Sequence, residues 1–154
     1  RLPDAYTSYD LSYLKNCKKL RHLNILKPAP RENTNQSILS QLSELECLHV
    51  SGDISTAYIS NLTKLTSLSI YSRKHIETKH IAKLVNLRTL IIGHIEDIKP
   101  LASLTELTYL DLRGNRIKDL SALVKLVKLK YLFLEYSGVA NWQILDNCAI
   151  CNFK

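Results

Sequence analysis

The segment Leu107-Thr-Tyr-Leu110-Asp-Leu112-Arg-Gly-Asn115-Arg-Ile117 decides the fold. Its L-x-x-L-x-L phrase recurs at Leu20, Leu23, Ile25; at Leu45, Leu48, Val50; at Leu65, Leu68, Ile70; at Leu87, Leu90, Ile92; and at Leu129, Leu132, Leu134. Successive starts lie 25, 20, 22, 20 and 22 residues apart, and a seventh would fall at Cys151. Self-similarity at this period marks a solenoid, whose units bury their apolar edges only by stacking on one another. Such a scaffold usually presents a surface for gripping another molecule, not a pocket for chemistry.

Strand side chains alternate with a period of two. With Leu107, Leu110 and Leu112 pointing inward, Tyr109, Asp111 and Arg113 must point outward. Ile117, Leu120, Leu123 and Leu126 then follow at a spacing of three, which suits one side of a 3₁₀ or short α turn. Ile95, Ile98, Leu101 and Leu104 keep that spacing, as do Val139, Trp142, Leu145 and Cys148. Leu39 with Leu42, Ile59 with Leu62 and Ile81 with Leu84 keep part of it. The architecture expected is an α/β solenoid with one parallel strand per repeat on the concave side and short 3₁₀ or α returns on the convex side. Residues 1–154 then form a single domain. Residues 1–19 are an N-terminal half-repeat or cap with Leu11, Leu14 and Cys17 in the core column. Six repeats fill 20–150, and 151–154 begin a truncated or terminal strand.

The ninth position of a repeat is where an asparagine amide can bond turn backbone, and Asn115 occupies it. Pro28, Asp53, Arg73 and Ser137 stand there in other repeats, and the Leu87 repeat is two residues too short to have it. This degeneracy predicts irregular ascending loops. Lys27 to Gln36 stretch the first repeat with two prolines and a polar run, which reads as an exposed loop: a length-tolerant insertion or a contact element for a partner.

Composition narrows the function classes. The chain has 154 residues, 45% hydrophobic, with a net charge of +7. No apolar run approaches the ~20 residues of a membrane span, and the start has no apolar signal-peptide region. No methionine occurs, and the last residues stop part way through an expected strand, which points to a fragment of a longer protein. The positive charge permits nucleic-acid or anionic-membrane contact. Lys125, Lys128 and Lys130, however, interleave with core leucines as a solvated convex face would.

Candidate chemistry is sparse. Cys148 and Cys151 have redox or half-zinc spacing, but Cys148 stands where other repeats have leucine and Cys17 fills a core column, so small buried thiols are the expectation. Cys47 is expected to face outward, which suits a reducing compartment. His22 and His49 sit outward in neighbouring columns, and surface histidines are the reading preferred over a metal pair. No catalytic constellation, cofactor or metal site is expected. Asn35-Gln-Ser37 and Asn61-Leu-Thr63 fit the glycosylation pattern, which matters only in a secreted chain.

Strand alternation yields three outward columns. They run His22, Cys47, Ser67, Thr89, Tyr109, Tyr131; then Asn24, His49, Ser69, Ile91, Asp111, Phe133; then Leu26, Ser51, Tyr71, Gly93, Arg113, Glu135. The C-terminal half gathers Tyr71, Ile91, Tyr109, Tyr131 and Phe133 beside Asp111, Arg113 and Glu135, the composition of a binding hot spot. The aromatics would anchor a partner and the charged residues would set complementarity. Alternatively, the aromatics simply cover the sheet or pack on a further domain. The flat face measures only on the order of 400 Å² by strand spacing and rise, against about 800 Å² per partner in a standard interface. Loops or further repeats would therefore have to contribute.

The stretch Ile95-Glu-Asp-Ile98-Lys-Pro-Leu101-Ala-Ser-Leu104, continuing into Leu107–Ile117, resembles the leucine-rich repeats of bacterial internalins, and the related phosphatase-regulator type, through an Asp-Ile-x-Pro-Leu turn in a roughly 22-residue unit. The resemblance is specific over 85–145 and loose over 20–84. It implies a leucine-rich repeat solenoid with a non-enzymatic binding role. The function expected is a monomeric protein–protein interaction module with a protein partner on its concave face. The alternatives are a targeting or regulatory segment of a larger enzyme or secreted effector, and a basic nucleic-acid or membrane-surface binder. Unpaired cysteines favour a cytosolic location; the internalin resemblance allows a secreted or surface one.

Overall fold

A computed structural model of the chain describes residues 10–26 and 35–135. Six strands alternate with short turns: β1 (His22–Ile25), β2 (Cys47–Ser51), β3 (Ser67–Tyr71), β4 (Thr89–Ile92), β5 (Tyr109–Asp111) and β6 (Tyr131–Phe133). The returns are 3₁₀ turns η1 (Leu11–Asn16), η2 (Gln36–Gln41), η3 (Thr56–Ile59), η4 (Lys99–Ser103) and η5 (Ser121–Lys125), with a single α turn, α1 (Thr78–Ile81), between β3 and β4. The strands pair in chain order in one parallel, unclosed sheet.

The register follows the leucines. His22, Cys47, Ser67, Thr89, Tyr109 and Tyr131 are successive partners, and so are Asn24, His49, Ser69, Ile91, Asp111 and Phe133. A one-residue slip would turn every core leucine to solvent, so the register is strongly specified. In the repeats from Leu45 onward, no residue of the three strand columns is more than 5% exposed. Leu20, Leu23 and Ile25 of the first repeat are only half-buried. The return columns close the core from the convex side, with Leu39, Ile59, Ile81 and Leu101 fully buried.

Cys17 departs from expectation. Leu11 and Leu14 are buried, but Cys17 is exposed at the C-terminal end of η1. Its counterparts Leu42, Leu62, Leu84 and Leu104 are flanked by a turn on each side, whereas η1 is the first described turn and, among the described turns, packs on η2 alone. Expectations for Pro28, for 27–34 of the extended loop, and for Ser137, Val139, Trp142, Leu145, Cys148 and Cys151 lie outside the described residues.

The ninth-position residues perform different tasks. Asn115 is 1% exposed. Its Nδ2 donates to the carbonyls of Ile92 and Leu112, both at 2.8 Å, and its Oδ1 accepts from Ile95 N at 2.9 Å. The amide thus completes the turn of the preceding, shortened repeat, where His94 adopts φ 56°. Asp53 reaches the other way: its Oδ1 accepts from Ser72 Oγ at 2.9 Å and from Arg73 N at 3.1 Å. Burial works against the charge of Asp53, but these hydrogen bonds and Lys74 outweigh it and hold the carboxyl below its ordinary range. On the convex side, Thr56 Oγ1 donates to Glu77 O and Thr78 Oγ1 to Asp97 O, linking successive repeats through the same side-chain type.

Candidate functional site

Beyond the ends of the strands, the outward columns depend on local packing. In the C-terminal half, Tyr109 lies 6.0 Å from Tyr131 and 5.2 Å from Phe133, centroid to centroid, both pairs tilted. These are ordinary geometries for aromatic pairs. Tyr131 is 53% exposed, while Tyr109 and Phe133 are half-buried by this mutual contact. The Arg113 guanidinium stands 5.3 Å from the Phe133 ring centroid, within cation–π range. Phe133 is therefore less solvent-facing than alternation alone implies, because the flanking ring and guanidinium lean over it.

Asp111 also differs from its expected display. It is outward in register yet only 5% exposed. Arg113, two residues on and on the same face, folds back over it. Its Nε donates to both carboxylate oxygens at 3.0 and 3.1 Å, and a terminal nitrogen donates to Oδ2 at 2.6 Å. The Arg113 backbone N–H adds a further bond at 3.1 Å. Hydrogen bonding to Asp111 is the main influence raising the already high pKa of Arg113. The pair presents a half-exposed guanidinium over Phe133 and no free carboxylate. Glu135 is exposed and offers the acidic group instead.

Tyr71 and Ile91 lie on the N-terminal side of this cluster, Ile91 as the strand partner of Asp111. Tyr71 is 53% exposed and packs on His49 at 5.6 Å between centroids; Ile91 is half-buried. Both line an open hollow of about 450 Å³ in the N-terminal half, together with His22, Asn24, Cys47, His49, Ser67 and Ser69. Sequence reasoning read Tyr71 and Ile91 as contact residues, His22 and His49 as surface histidines and Cys47 as an outward thiol, and did not foresee a hollow between them. The signal was present in the order of each row: small side chains at Cys47, Ser67 and Ser69 flanked by larger ones leave a notch. Among the described residues, no group of three His, Cys, Asp or Glu is arranged to hold a metal, and no helix is long and apolar enough to cross a membrane.

A family profile described as Leucine Rich repeats (2 copies) matches residues 85–123 and again 105–147. No protein with a curated description matches significantly. Among solved structures, internalin C2 of Listeria monocytogenes is 29% identical, with a TM-score of 0.78 over 91% of this chain and 62% of its own. An internalin F from the same organism is 27% identical, with a TM-score of 0.67 over 94% of this chain and 50% of its own. The chain thus spans between half and about three-fifths of these relatives. The ectodomain of the Arabidopsis receptor kinase HAESA, solved in complex with a peptide hormone, is 22% identical, with a TM-score of 0.54 over 64% of this chain and 19% of its own, a likeness of fold. Leucine-rich repeats are general protein-interaction scaffolds and generally non-enzymatic. The repeat profile over 85–147, the open parallel sheet and the solved neighbours converge on a leucine-rich repeat fold similar to that of the internalins.

Proposed function

We propose that this chain is a recognition module, without catalytic activity of its own, that holds a protein partner on the C-terminal half of its concave sheet. The observation that carries the reading is the cluster of Tyr109, Tyr131 and Phe133 under Arg113, on a sheet face that no other described element covers. Aromatic and arginine side chains held by neighbours lose little freedom on binding, and they dominate measured interface energies. Tyr71 and Ile91 extend the contact toward the N-terminal half. Arg113 and Glu135 supply charge, with Asp111 acting through Arg113 as its anchor.

Affinity capture from cells expressing the chain tests this directly. Wild type should retain a discrete partner. The Tyr131→Ala, Phe133→Ala double variant should lose it, by on the order of 100-fold in affinity for two hot-spot truncations, with a thermal melt lowered by only a few degrees. Retention by the double variant removes this patch as the binding surface. Retention that collapses with modest salt, by contrast, marks a basic polyanion-binding surface instead.

A further inference from the structure

The hollow in the N-terminal half holds a feature the aromatic patch lacks. Ser69 lies between His49 and Ile91 in its row, about 4.8 Å from each by strand spacing. Being smaller than both, it sits low in the hollow that Tyr71 also lines, with its hydroxyl oxygen covered. The residue is 8% exposed, and its hydroxyl has no hydrogen-bond partner among the described residues. A buried hydroxyl without a partner is destabilising, and its pairing from outside is correspondingly favourable. Serine has one side-chain torsion, so the hydroxyl can turn toward an arriving group on a fast timescale without backbone motion.

The surrounding chemistry selects the occupant. Asn24, Cys47, Ser67, Ser69, His22 and His49 bring polar groups to the hollow, Leu23, Leu48, Tyr71 and Ile91 give it an apolar wall, and among the described residues no carboxylate, lysine or arginine lines it. A carboxylate entering here would shed hydration with no fixed cation to replace it. An aliphatic side chain would pack on the apolar wall but leave the Ser69 hydroxyl unpaired. An Asn or Gln side chain carries apolar methylene beside two donors and an acceptor, with no net charge, which suits a mixed lining of apolar wall, hydroxyls and an amide.

We propose that this notch is a subsite for an asparagine or glutamine side chain carried on an extended segment of the protein partner. It rests on the concave-face reading above. Tyr71 and Ile91 belong to the hollow's wall and also adjoin the aromatic half, so one segment crossing the strands would meet both regions.

A phage-displayed library of random linear peptides, selected on the full chain, provides the test. Peptides that depend on Tyr131 and Phe133 should carry Asn or Gln at one fixed position. Ser69→Ala should weaken them about tenfold, the equivalent of one hydrogen bond, while the melting temperature holds or rises because an unpaired hydroxyl has gone. Exchanging the peptide's Asn or Gln for Leu should cost as much on wild type and almost nothing on Ser69→Ala, as coupled groups require. Enrichment of Asp, Glu or an aliphatic residue at that position overturns the proposal. So does unchanged binding by Ser69→Ala, or a fall in its melting temperature. Peptides sensitive to the Tyr131/Phe133 change but not to Ser69→Ala refute the subsite and leave the concave-face reading standing. Selection that yields no peptide sensitive to either refutes both.

Discussion

The two halves of the concave sheet share one backbone plan and differ in what they turn outward. From β1 to β3 the outward rows are mostly small or polar, with Leu26 and Tyr71 the exceptions, and they leave a hollow bounded by His49, Tyr71 and, from β4, Ile91. From β4 to β6 the rows fill with Tyr109, Tyr131 and Phe133, which pack on one another and on Arg113. The inward leucines barely change between the halves. Folding constraints therefore sit in one set of alternating positions and recognition chemistry in the other, so either set can vary with little disturbance to the other.

Core truncation gives the strongest test of that contrast. Leu110 is fully buried in mid-array, so Leu110→Ala should cost about 3 kcal/mol through lost burial and a cavity. Leu23, half-buried in the first repeat, should cost about 1 kcal/mol by the same substitution, since less surface returns to water. Urea denaturation of both variants checks the ranking; equal losses would show the first repeat to be as well packed as the rest. Asn115→Ala comes next, at about 2 kcal/mol, because it leaves buried Ile95 N–H and two carbonyls short of a partner. Hydrogen exchange should localise its effect to the turn after β4. The Tyr131→Ala, Phe133→Ala double variant should cost under about 1 kcal/mol, its rings being only partly buried, despite its large expected effect on affinity.

The smallest effect separates the halves by pH. The Asp53 carboxyl is held below its ordinary range in the folded chain. Its contribution is thus complete above the ordinary carboxylate pKa, about 3.9, and is lost as pH falls through the depressed folded value. The neutral Asn115 does the equivalent work in the C-terminal half without titrating. Acidification should loosen the turn at 72–74 before the turn at 92–95, by under about 1 kcal/mol for a partly exposed group, and Asp53→Asn should blunt the difference. Amide exchange at the two turns between pH 5 and 2.5 reads this directly; equal responses would dismiss it.

Most of the scaffold was legible because a repeat writes the same constraint several times over. The L-x-x-L-x-L phrase set the strands, the sheet order and the residue-by-residue register from His22 to Tyr131 and from Asn24 to Phe133. The spacing of three marked the 3₁₀ returns, and it fitted the one α turn equally well. Asn115's role was legible from its residue type at the turn. The direction of its reach was not, because it depends on which neighbour has a turn too short to close itself. Two misplacements share a cause: alternation gives the direction of a side chain, whereas burial depends on what leans over it. Asp111 points outward and is covered by Arg113; Cys17 occupies the core column with only one flanking turn among the described residues. Of the candidate site, the aromatic rows were legible as composition. The notch at Ser69 was not, because its depth comes from the size of His49 and Ile91 on adjacent strands rather than from serine itself.

The backward reach of Asn115 also has a temporal meaning. A ribosome emits this chain from the N-terminus, so the backbone groups at Ile92 and Ile95 emerge about 20 residues ahead of the amide that satisfies them. Without its successor that coil has unpaired backbone groups, so the array is latched from downstream: a truncated chain ending at residue 114 should be nicked by protease at the 92–95 turn, and one ending at residue 135 should resist.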